Sequence, residues 1–114
     1  MNTDESTGKD RAGQQLLVLE LTTDIDDIRP VFVTGNFNDW LINDPSFELK
    51  KVGNRKYRIE FPEHVQLPTP IEYKYVREGW EGEELDEYGN IVKNRVLHDP
   101  CGLIEDFVPR WEQH

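Results

Sequence analysis

From Gln15 to Val108 the chain is cut into short apolar runs, and turn-forming residues stop each run before a helical period establishes itself. The clearest run is Ile71 to Arg77, IEYKYVR. Ile71, Tyr73 and Tyr75 fall on one face of it, and Glu72, Lys74 and Val76 on the other. A period of two marks an extended strand, because successive side chains leave opposite faces. Gln15 to Thr22, QLLVLELT, follows the same rule: Leu17, Leu19 and Leu21 alternate with Val18 and Glu20. Val31 to Thr34 is a further strand, stopped by Gly35. Phe47 to Lys51 and Lys56 to Phe61 are two more, joined through Val52-Gly53-Asn54-Arg55, a hairpin signal. Leu67-Pro68-Thr69-Pro70 reads as a loop, since proline lacks the N–H that a sheet interior requires. Ile91 to Leu97 and Ile104 to Val108 are the last strands, separated by Asp99-Pro100-Cys101-Gly102. About seven short strands with regular turn signals predict an all-β sandwich or barrel.

Residues 1–14 are polar and without periodicity, and are expected to form a disordered tail; residues 15–114 are read as a single domain. A chain of 114 residues can bury a core without disulfide staples. The formal net charge of −10 repels phosphate backbones and anionic membrane surfaces, so neither nucleic acid nor membrane is an expected partner. A neutral polymer suits that charge. The lone Cys101 forms no internal disulfide, and the polar start Met1-Asn2-Thr3-Asp4 shows no secretory signal. Together these predict a cytoplasmic protein.

Aromatic residues are the informative part of the composition: three Trp, four Tyr and five Phe either fill a core or face a ligand. Two stretches concentrate them, Val31 to Trp40 (VFVTGNFNDW) and Glu72 to Trp80 (EYKYVREGW), and Asn94-Arg95-Val96-Leu97 follows. In order and spacing these resemble the glycogen- and starch-binding carbohydrate-binding modules of families 48 and 20, which include the glycogen-binding domain of the AMP-activated protein kinase beta subunit. The resemblance covers Leu17 to Leu97. It implies an immunoglobulin-like (early-set) β-sandwich of about seven antiparallel strands that binds α-glucan, with no cofactor. It also implies roles for single residues. Trp40 and Trp80 correspond to sugar-stacking tryptophans, Lys74 to a lysine that hydrogen-bonds sugar hydroxyls, and Asn94 to an asparagine on a glucose hydroxyl. Gly35, Phe37 and Tyr73 match structural positions.

The chemistry of these side chains agrees with those roles. A pyranose has a face of C–H groups on which an indole can stack, and Lys and Asn can satisfy its rim of hydroxyls. Each residue also has a plainer reading. Trp40 can be a core residue, Lys74 a solvated lysine on an outer face, and Asn94 a turn residue. Trp111 reads as an anchor that pins the C-terminal segment. Glu78 to Gly89 holds six carboxylates and no Lys or Arg. It reads as a solvated loop, with a hard cation such as calcium as the alternative. The segment from Asp99 to His114 lies outside the resemblance and has no assigned role.

Nothing in the sequence suggests catalysis. It contains no Gly-x-Ser-x-Gly elbow, phosphate loop or metal-ligand spacing. The expected partners are an α-glucan and a carbohydrate-active enzyme. A protein-interaction or adaptor domain on the same sandwich is the alternative.

Overall fold

A computed structural model describes residues 16–78 and 82–112, and it is an all-β sandwich. The expected tail at residues 1–14 and the predicted site residue Trp80 lie outside the described residues. The strands are β1 (Leu17–Thr23), β2 (Val31–Gly35), β3 (Lys50–Gly53), β4 (Lys56–Glu60), β5 (Ile71–Arg77), β6 (Glu84–Leu85), β7 (Arg95–Leu97), β8 (Gly102–Val108) and β9 (Arg110–Trp111). One sheet has the order β3-β4-β1-β8 and the second β2-β5-β7, while β6 and β9 form a small ribbon.

The inward-facing residues meet as the alternation requires. Leu17, Leu19 and Leu21 of β1 pack with Val31 and Val33 of β2 and with Ile71, Tyr73 and Tyr75 of β5. Phe37, Phe47 and Phe61 close one side with ring centroids 4.8 to 5.4 Å apart and tilted or edge-on planes, the arrangement that aromatic quadrupoles favour. Burial of an aliphatic side chain of this size stabilises the fold by about 1.5–3 kcal/mol. Trp111 packs against this core as the expected anchor, with the Arg77 guanidinium 5.3 Å from its ring centroid.

Four features depart from the sequence reading. The strand expected over Phe47 to Lys51 begins only at Lys50. Before it, Pro45–Phe47 makes a 3-10 turn whose cap is the Asp44 carboxylate, accepting from the Ser46 N–H. The strand expected over Ile91 to Leu97 shrinks to Arg95–Leu97, matching the three residues of β5 that face it, Ile71 to Tyr73. Within the acidic loop, Glu84 and Leu85 form β6 and pair with β9. Finally, the pairing is not all antiparallel. β8 runs parallel to β1 over its whole length, from Leu17 opposite Gly102 to Thr23 opposite Val108. Alternation reports which face a residue takes, not the direction of the neighbouring strand.

Candidate functional site

Register places Phe32 and Thr34 of β2 on the same face as Glu72, Lys74 and Val76 of β5 and Val96 of β7, the face turned away from the core. A sheet face open to water would carry exposed polar groups there. Instead Phe32, Thr34, Lys74 and Val76 are all buried.

The Asn36-to-Asp44 loop is tied down on this face. Thr34 Oγ1 donates to the Leu41 carbonyl at 2.8 Å, and the Gly35 N–H donates to Asn38 Oδ1 at 3.1 Å. Asn38 Nδ2 donates to Asp44 Oδ2 at 3.3 Å, and the Trp40 N–H donates to the Gly35 carbonyl at 2.9 Å. The loop needs glycine at position 35. A Cβ there would collide with the Glu72 carbonyl oxygen and the Phe37 ring. Asp39 and Trp40 both take left-handed backbone angles, φ 58°. Trp40 is half-buried, with Leu41 exposed beside it.

Lys74 is only 6 % exposed, so the reading of a solvated lysine is corrected. Its ammonium pairs with the Glu83 carboxylate. A single β-bridge between Val76 and Glu83 brings that carboxylate alongside. Asn94 is exposed just before β7, and its Nδ2 lies 3.5 Å from Glu72 Oε1, at the limit of a hydrogen bond. Lys74 and Asn94 therefore lie on one side of the β2-β5-β7 sheet, and the loop that carries Trp40 is bonded to Thr34 on that side. Thr34, bonded to the residue after Trp40, sits opposite Lys74, and Asn94 meets Glu72, two positions along β5.

The opposite side of the same segments is a buried polar cluster that sequence reasoning missed. Strand alternation turns Glu83 outward and Glu84 inward, and Glu84 is 1 % exposed. β7 faces β5 only up to Tyr73 and the next bridge is at Val76, so a gap opens at Tyr75. Glu84 Oε2 fills it, accepting from the Tyr75 N–H at 3.0 Å. Arg95 holds Glu84 in a fork, donating from Nη2 at 2.7 Å and from Nε at 3.1 Å. It also donates to the Phe107 carbonyl at 3.0 Å and lies 3.4 Å from Asp106 Oδ1. Asp106 in turn accepts from the hydroxyls of Tyr73 (2.6 Å) and Tyr75 (2.8 Å). Burial, and then the bond to Asp106, push the Tyr73 hydroxyl well above its ordinary pKa; burial and the Asp106 charge do the same for Tyr75. Burial works against the Arg95 charge, but the hydrogen bonds and charge of Glu84, with Asp106 behind them, raise its pKa on balance. A carboxylate-rich run gives no sign of which member turns inward; the lone Arg95 in the next strand was the available hint.

Tyr88 was also missed. It is 78 % exposed at the tip of the turn from Asp86 to Asn90. Asp86 Oδ1 accepts from the Tyr88 and Asn90 N–H groups, both at 2.9 Å, and Gly89 supplies the positive φ of 84°. The Asn90 N–H first, and then that of Tyr88, hold the Asp86 carboxyl below its ordinary range. An aromatic residue set among Asp, Gly and Asn was the signal. Among the described residues no group of three or more His, Cys, Asp or Glu is placed to hold a metal ion. No described helix is long and apolar enough to cross a membrane.

The chain is similar to one short segment of each of two much longer enzymes. An amylopullulanase of Thermoanaerobacter thermohydrosulfuricus is 35% identical over 86 residues, 71% of this chain and 6% of that protein. An alpha-amylase of Niallia circulans is 30% identical over 86 residues, 73% of this chain and again 6% of that protein. The chain thus spans about 6% of the length of these curated relatives. The glucoamylase of Hormoconis resinae shares the fold, with a TM-score of 0.55 and 19% identity over 83% of this chain and 18% of that one. No protein-family profile matches the chain.

Proposed function

We propose that residues 15–114 form a single non-catalytic module that binds α-glucan of the glycogen or starch kind. The observation that carries this reading is the likeness to a segment only 6% as long as an amylopullulanase and an alpha-amylase. A segment of that size on a sandwich of this kind fits a binding module better than a catalytic domain. Trp40 supplies a stacking face on a loop held by hydrogen bonds from Thr34, Gly35, Asn38 and its own N–H. Asn94 supplies a rim donor and acceptor, and Lys74 a cation beneath the same face, paired with Glu83. Trp80 is a second stacking face, and exposed Tyr88 a third aromatic within the same acidic segment. The alternative is a protein-interaction domain serving a carbohydrate-active enzyme, which the exposed Leu103 and Phe107 on β8 favour. The lone Cys101 suits a reducing compartment such as the cytoplasm.

A site of a few stacked rings and exposed hydrogen bonds binds in the micromolar to millimolar range, about 4–8 kcal/mol. The test is titration with maltoheptaose followed by amide NMR shifts. Saturable binding by the wild type, weakened at least tenfold in a folded Trp40→Ala variant, is the expected result. No saturable shift at millimolar sugar would overturn the glucan reading and leave the adaptor reading in its place.

A further inference from the structure

A cavity of about 660 Å³ opens between the Asp24–Arg29 loop, the end of β5, β9, Leu85 of β6 and Gly89. Its volume lies in the range of small-molecule sites. Three of the seven arginines of this acidic chain line it: Arg29, Arg77 and Arg110. Asp24 and Asp27 are the carboxylates among the lining residues. Asp27 is already shared. Arg29 clasps it through Nη2 at 2.7 Å and Nε at 3.1 Å, and Arg77 Nη1 reaches the same oxygen at 3.2 Å.

Arg77 is the decisive residue. It is 7 % exposed, one guanidinium face lies over the Trp111 ring, and among the described residues Asp27 is its one ion-pair partner. Nε and Nη2 of Arg77 have no acceptor among the described residues. A buried cation with unused donors is costly unless something accepts them. Burial, and then the charge of Arg29, pull its pKa below the ordinary arginine value, with Asp27 and Glu78 opposing. Arg110 adds an exposed guanidinium at the rim without an ion-pair partner among the described residues. A planar fork of N–H donors matches the oxygens of a phosphate or carboxylate, and the Trp111 edge offers apolar surface beside them.

We propose that this cavity binds a small organic oxyanion, a phosphate or carboxylate group on a molecule up to the size of a hexose phosphate, seated between Arg77 and Arg110. The cavity shares no lining residue with Trp40, Lys74 or Asn94, and the proposal does not rest on the glucan reading.

The experiment is an amide NMR titration at low ionic strength and pH 7 with inorganic phosphate, glucose 6-phosphate, glucuronate and glucose in parallel. Saturable shifts grouped at Arg77, Arg110 and Trp111 are expected for the anions and not for glucose. Glucose 6-phosphate binding more tightly than glucuronate would support a phosphate ligand, and the reverse a carboxylate. Arg110→Glu, an exposed change that spares the fold, is expected to weaken binding at least tenfold, and Arg77→Gln at least as much. Trp40→Ala leaves anion binding unchanged. Shifts that stay linear, that sodium chloride at equal ionic strength reproduces, or that persist in Arg110→Glu would overturn the proposal.

Discussion

Trp40 holds its indole on a backbone that its own Cβ opposes. A non-glycine residue at φ 58° is uncommon, and for a bulky one it costs about 1–2 kcal/mol. The bonds made by Thr34, Gly35 and Asn38 hold the turn against that cost. Strain kept in this way at a half-buried aromatic is compatible with the stacking role proposed for Trp40. Trp40→Gly and Trp40→Ala both remove the indole, but only alanine keeps the Cβ. The glycine variant is therefore expected to be the more stable of the two by about 1 kcal/mol in urea unfolding, with the proposed glucan binding weakened at least tenfold in both. That Trp40 sits in a turn was legible in the sequence because turn formers surround it. Lys74 was legible as a position and not as an environment. Alternation set its face correctly, but the carboxylate that buries it arrives from nine residues further along through a single bridge.

β5 shows what strand patterning can and cannot carry. Its inward row of Ile71, Tyr73 and Tyr75 was readable directly, and all three are buried. That both tyrosine hydroxyls end on one carboxylate, Asp106, depends on β8 lying across from them, which no local pattern encodes. This arrangement has a pH signature. Both hydroxyls have folded-state pKa values raised above the unfolded value near 10. Their neutral forms contribute stability that is complete below pH 10 and is lost as pH rises beyond it, because the unfolded chain ionises first. The urea midpoint is expected to fall between pH 9 and pH 11.5. The double variant Tyr73→Phe, Tyr75→Phe should show a shallower fall. It should also start lower at pH 7, by about 1–3 kcal/mol, since Asp106 loses two donors.

For the whole molecule, the sandwich and its core were legible because two-residue alternation recurs in every long strand. The closing of the sandwich was not. Beyond Leu97 the strand over Ile104 to Val108 and the Trp111 anchor were legible, but not that β8 lies parallel beside β1 or that it supplies the Asp106 acceptor. A chain ended after Leu97 is accordingly expected to lose the dispersed amide spectrum of the full chain, and retention of that spectrum would refute the role given to β8. The parallel pairing also decides how the module answers a pull. β1 and β8 point the same way, so the backbone arrives at one end of the pair and leaves at the other. Tension along the chain therefore slides the two strands past each other. Their cross-strand bonds lie across the load and must give way together rather than peel apart one by one. Such a sandwich, threaded in line between two moving bodies, holds like a lap joint.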